Sequence, residues 1–283
     1  MENNGSEQNH HHRAEDFVLD KELKELKIEF GEQLLERLRL LEKRPISEGE
    51  RKKERKGHLS HSLNVEKICL FLLEKIKTKK LAKIDDKLIK KIRVAALLHD
   101  VGKTGPANAN ENEQKAVMDL FSFFEDEKLS QLSIEEAVNK HAEEKDKKFI
   151  LENLPKGDDV ECLKKEDLMK KVYQSHIHNT AEILKKYGFK HDIIYLAASH
   201  HSMGNNFKYE EVADKRQIMK FSSELLELCD FYEAAAARSK KSHDEIVKMM
   251  KEKFSTNKKQ EIDDLINLFA ENSLLMDNVR GKI

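Results

Sequence analysis

The 283-residue chain carries 52 Lys+Arg against 53 Asp+Glu, a net charge of −1 with 37% of its residues charged. That balance gives no electrostatic reason to expect a nucleic-acid duplex or an anionic membrane as the main partner. No apolar run approaches the roughly 18 residues of a membrane span.

Only 10 Gly and 3 Pro occur, with no Trp, and Leu, Lys, Glu and Ala abound. Such usage argues against a sandwich or barrel and predicts an all-α fold. Cys69, Cys162 and Cys229 are scattered, with no CxxC pair and no even disulfide framework. With no signal-peptide h-region in sight, a reducing, cytoplasmic setting is expected.

In chain order, residues 1–14 read as a disordered leader, in which His10, His11 and His12 are a solvated tail. Over 15–43, apolar residues recur at Leu23, Leu26, Phe30, Leu34, Leu38 and Leu41, which predicts an amphipathic helix stopped at Pro45. The basic run Arg51-Lys52-Lys53-Glu54-Arg55-Lys56 follows as a solvated loop, so 15–57 forms an N-terminal helix and loop. A second helix covers 58–77 through Leu59, Leu63, Ile68, Leu72 and Ile76. Asp85 or Asp86 then caps a helix through Leu88, Ile92, Ala95 and Ala96.

Residues 107–166 are polar, with helical patches over 117–124 and 134–138 and a turn at 155–159. They read as an insertion or lid with too few apolar residues for a core of its own. Helix resumes at about 167 and stops at Gly188. A short helix over 191–201, a long one over 218–238 and two more near 246–254 and 262–269 complete a domain spanning 58–283.

The chemistry centres on Ala95-Ala96-Leu97-Leu98-His99-Asp100-Val101-Gly102-Lys103. An imidazole and a carboxylate at the end of a buried apolar run cost on the order of several kcal/mol if unpaired, and a metal ion would compensate both. Further candidates lie at His61, His176, His200-His201 and Asp230. His58, one turn before His61, and His141 are alternatives to His61 and His176. Five histidines and two aspartates exceed the needs of one six-coordinate ion. They suit two or three ions, and the imidazole-carboxylate mixture favours Fe, Mn, Co, Ni or Zn over Mg.

This order of residues resembles the HD superfamily of metal-dependent phosphohydrolases, whose His-Asp pair would be His99-Asp100. Within it, the chain is most similar to the HD-GYP phosphodiesterases and the related HD domains that hydrolyse cyclic di-AMP. Asp230-Phe231-Tyr232-Glu233-Ala234, followed by Arg238, looks like that branch's Asp-x-Phe/Tyr-Asp-Ala segment with its downstream arginine.

The resemblance implies an all-α HD-domain helical bundle and metal ligands His61, His99, Asp100, His176, His200, His201 and Asp230. It implies two or three divalent ions, Fe or Mn ahead of Ni, Co or Zn. Lys103 would contact the substrate phosphate, with Asp100 and Lys103 as the catalytic pair; Arg238, two turns beyond Asp230, is either a second phosphate contact or a surface arginine. The reaction would be hydrolysis of a nucleotide phosphodiester, a cyclic dinucleotide first, by metal-activated water. An HD-type diiron oxygenase and an inactive nucleotide-sensing HD domain are the alternatives, and a homodimer is compatible with the sequence. After His200-His201 the chain reads Ser202-Met203-Gly204-Asn205-Asn206-Phe207, with neither the Glu nor the Gly-Tyr-Pro that gives the HD-GYP branch its name. That departure points away from cyclic di-GMP.

Overall fold

The computed structural model describes residues 32–42, 57–123, 127–156, 162–201, 203, 216–239, 241–255, 260–273 and 275. The leader, residues 15–31 of the first predicted helix, Pro45, the basic run and residues 204–215 lie outside the described residues.

The fold is all-α: twelve α-helices and no strand among the described residues. In order they are α1 (Glu32–Leu41), α2 (His58–Lys79), α3 (Asp86–Leu98), α4 (Glu111–Ser122), α5 (Glu127–Ser130), α6 (Ile134–His141), α7 (Glu144–Glu152), α8 (Met169–Lys186), α9 (His191–Ala198), α10 (Gln217–Arg238), α11 (His243–Phe254) and α12 (Gln260–Ala270). None is long and apolar enough to cross a membrane.

Local signals account for many of the boundaries. Asp85 is the N-cap of α3 and accepts from Leu88 N at 2.8 Å. Reciprocal capping boxes open α4 (Asn110 with Glu113), α6 (Ser133 with Glu136) and α11 (Ser242 with Glu245). Beyond α8, Gly188 adopts φ 73°, the left-handed conformation that ends helices.

The main core gathers Leu34 and Leu38 of α1, Leu72 and Ile76 of α2, Ile92 and Leu97 of α3, Leu184 of α8, Leu196 of α9 and Leu225 and Tyr232 of α10, with α11 and α12 closing it. Cys69 and Cys229, far apart in sequence, are both buried and meet where α2 packs on α10, as free thiols.

The 107–166 stretch holds more apolar packing than its composition suggests. Leu120, Phe123, Leu129, Ile134, Val138, Ile150 and Leu163 form a second buried cluster. It is completed by Met169, Val172 and Tyr173 from the first turns of α8. The apolar residues were too sparse for a free-standing core, but α8 supplies the missing face.

α3 does not continue through Lys103. It ends at Leu98, and Val101–Thr104 forms a 3-10 turn. Its cause is the close approach of α8. Thr180 Oγ1 donates to His99 O at 2.9 Å and accepts from Gly102 N at 3.0 Å, while Asn179 Nδ2 donates to Gly102 O at 3.3 Å. A Cβ on Gly102 would lie 1.9 Å from His176 O, so only glycine fits between turn and helix.

The far side of this turn is held by Arg37 of α1, a cation inside that helix's apolar stripe. Its guanidinium donates to Thr104 Oγ1 (2.8 Å), Pro106 O (2.7 Å) and Ala107 O (3.1 Å), and is itself only 2% exposed. The five N–H donors of arginine let one side chain satisfy several carbonyls of the segment leaving the turn.

Candidate metal centre

Five elements carry the seven candidate residues to one point. His61 lies in the first turns of α2, His99 caps α3 with Asp100 just beyond, His176 is midway along α8, His200 and His201 follow the end of α9, and Asp230 lies on α10. The ligating atoms cluster in three overlapping groups: His61, His99 and Asp230; His99, Asp100 and His200; His176, His200 and His201. Within each group they lie within 4.8 Å of one another. The groups are linked by His99 on one side and His200 on the other.

Asp100 sits between the two ends. Its Oδ2 is 3.8 Å from His61 Nε2 and 3.5 Å from His99 Nε2, whereas its Oδ1 is 3.9 Å from both His176 Nε2 and His200 Nε2. The two oxygens therefore face different halves of the cluster, which is the orientation a bridging carboxylate needs. Asp230 Oδ1 lies 2.9 Å from His61 Nε2 and 3.7 Å from His99 Nε2, and its Oδ2 is 4.0 Å from His201 Nδ1.

Local backbone aims the rings. The Nδ1–H of His99 donates to Ala96 O at 2.7 Å, that of His200 to Ala197 O at 2.6 Å, and that of His176 to Tyr173 O. Each bond reaches three residues back, turning Nε2 inward and fixing it as the unprotonated nitrogen. His61 is held differently: its Nδ1 meets the Glu233 carboxylate.

The electrostatics suit a cation. Burial keeps His176 neutral, pushed down to about 3, and holds His200 and His201 below the usual range, with His201 nearby disfavouring charge on the other two. Neutral imidazoles are the form that binds metal. Burial opposes ionisation of Asp100, but the Lys103 ammonium and the surrounding imidazoles outweigh it and hold the carboxyl well below the usual range. Burial likewise opposes charge on His61, yet Glu233 and Asp230 prevail and push it up to about 10. That negative field would attract a divalent cation as it attracts a proton. His99 Nε2 is fully buried with no hydrogen-bond partner. An orphaned buried acceptor is costly, and a metal ion at this nitrogen would remove the cost, so the residues fit the group.

Lys103 takes its place from the 3-10 turn. In a continued α-helix it would stack over His99, but a 3-10 turn eclipses side chains three apart. Its Nζ therefore meets Asp100 Oδ2 at 2.5 Å and lies 3.5 Å from His58 Nδ1. His58 thus borders the cluster through Lys103. His141 is exposed on α6, with its ring 5.9 Å from Phe123 and away from the seven. Arg238 ends α10, and its side chain lies outside the described residues.

Sequence reading missed Glu233, Asn64 and the α8 pair Asn179-Thr180. Asn64 Nδ2 donates to Glu233 Oε1 at 3.0 Å. For Glu233 a signal was present: an acid three residues after Asp230, on the same face of one helix.

The HD domain family model matches residues 59–169, which takes in His61, His99, Asp100 and Lys103 and stops short of His176, His200, His201 and Asp230. This match supports the HD superfamily, whose members bind divalent metals and are generally metal-dependent hydrolases. No curated protein and no solved structure matches the chain.

Proposed function

We propose, from the HD-superfamily match as premise, that this chain is a phosphodiesterase with a two-ion centre. Its substrate on this reading is a nucleotide phosphodiester, a cyclic dinucleotide before other classes. The supporting observation is Asp100, whose two oxygens face different halves of a seven-residue imidazole-carboxylate cluster. One half would be His61, His99 and Asp230, the other His176, His200 and His201.

Divalent ions bound there supply Lewis acidity to a phosphate and lower the pKa of water. The chain's own residues do the rest. Nδ1–H bonds to backbone carbonyls hold the rings of His99, His176 and His200 with Nε2 turned inward. Asp100 spans the halves and fixes their separation. Lys103, poised at Asp100 Oδ2, offers an ammonium to a non-bridging phosphate oxygen as charge develops there. Arg238 stands as a second candidate phosphate contact.

We take residues 58–283 as the HD domain and 107–166 as its insertion. That insertion brings Phe121 of α4 edge-on to His176, ring centroids 5.9 Å apart, so it borders the imidazole cluster.

The test is an anaerobic panel with Mn(II)- or Fe(II)-loaded protein. The substrates are cyclic dinucleotides, cyclic mononucleotides, nucleoside triphosphates and bis(p-nitrophenyl) phosphate. Hydrolysis of a phosphodiester, abolished by EDTA and restored by metal, is expected. Turnover that requires oxygen would replace the hydrolase by an oxygenase. Inertness toward every substrate with Fe, Mn, Co, Ni and Zn alike would leave only a binding module.

A further inference from the structure

Four of the five clustered imidazoles make an Nδ1 hydrogen bond, and their partners are not of one kind. His99, His176 and His200 rest on neutral carbonyls of their own helices, Ala96 O, Tyr173 O and Ala197 O. His61 rests on a carboxylate brought from a different helix, Glu233 of α10. Glu233 is only 2% exposed, and Asn64 Nδ2 fixes its other oxygen at 3.0 Å.

We propose that Glu233 is a positioning residue that makes the His61–His99–Asp230 end the tighter of two unequal cation sites.

The inference rests on the two-ion reading above. The Nδ1–H bond to Glu233 locks the His61 tautomer and turns Nε2 toward Asp230 and Asp100. A carboxylate behind an imidazole also raises the basicity of the opposite nitrogen, which a carbonyl does less. The charges around the two ends then differ. Asp230 and one oxygen of Asp100 serve the His61 end, with Glu233 behind them. The His176–His200–His201 end has three neutral imidazoles and the other oxygen of Asp100, with Asp230 Oδ2 at its edge, 4.0 Å from His201 Nδ1. Lys103 offsets one negative charge at the His61 end through Asp100 Oδ2, and with His61 neutral, as a ligand must be, Asp230 and Glu233 leave that end the more negative. A divalent cation entering the empty protein therefore fills the His61 end first, and the imidazole-rich end fills as the exchangeable second site.

Calorimetric titration of the chelator-stripped full chain with Mn(II) tests this, with thermal melting as the check on folding. The wild type is expected to bind in two classes whose affinities differ by at least about 10-fold. Glu233→Gln keeps the size and an acceptor for Nδ1–H but removes the charge. It should weaken the tight class about 10- to 100-fold and leave the weak class within about twofold. Asn64→Ala, which frees Glu233 without touching the ligands, should weaken the same class by a smaller factor. If Glu233→Gln melts early, Asn64→Ala alone decides. Two equal classes in the wild type, or a tight class that neither variant moves, would overturn the proposal while leaving the two-ion centre standing. A wild type that takes up no Mn(II) would remove both.

Discussion

Gly102→Ala is expected to destabilise the protein by at least about 3 kcal/mol, with a loss of bound metal to match. The new methyl would sit 1.9 Å from His176 O, 2.5 Å from Thr180 N and 2.6 Å from Thr180 Oγ1. Two of these are backbone atoms of α8, which cannot turn aside as a flexible side chain would. The 3-10 turn and α8 must separate by more than an ångström. The Gly102–Thr180 and Asn179–Gly102 bonds go with them, and His176 leaves its place opposite His200. Overpacking alone costs about 1–3 kcal/mol, and each lost buried hydrogen bond about 1 more. For a chain of this size such a loss lowers Tm by roughly 6–12 °C. Thermal melting and metal content check it together. A variant melting within about 1 °C of the wild type with full metal would show that the turn and helix are not in tight contact.

Asp100→Ala acts on the chemistry. Removing the carboxylate whose two oxygens lie between the halves would take a ligand from each proposed ion and leaves Lys103 Nζ without its 2.5 Å partner. Phosphodiesterase activity is expected to fall by about 10³-fold or more, the scale of losing a preorganised electrostatic group, and bound metal to fall with it. Truncating one partner of a buried ion pair also costs about 3–5 kcal/mol, so Asp100→Asn, of equal size, separates the effects. It should stay folded and still lose metal and at least about 100-fold of activity, on the same scale. Wild-type turnover in a folded Asp100→Asn protein would refute the bridging role.

Much of the helical plan is legible in the sequence because it depends on near neighbours. The apolar stripe of α2, the Asp85 cap of α3 and the Gly188 stop after α8 are all set within a few residues. The seven clustered residues were legible for another reason: their order along the chain resembles a known family.

What was not legible depends on distant partners. The 3-10 turn at Val101–Thr104 is imposed by Asn179 and Thr180, almost 80 residues away, so Lys103 falls over Asp100 rather than His99. Nothing local marks Arg37 on its amphipathic helix, and only the fold brings Thr104, Pro106 and Ala107 to its guanidinium. The second apolar cluster needed α8 to become visible as a core. Glu233 sat in plain view beside Asp230, but its meaning depends on α2 lying against α10.

The central proposal is that residues scattered from His61 to Asp230 would hold two ions, with one Asp100 oxygen facing each half of the cluster. Equilibrium dialysis of the wild-type chain against saturating Mn(II), with metal per chain read by plasma mass spectrometry, tests it most directly. The account predicts two ions per chain, reduced in Asp100→Asn. No ion bound, or a single ion retained unchanged in that variant, would contradict it.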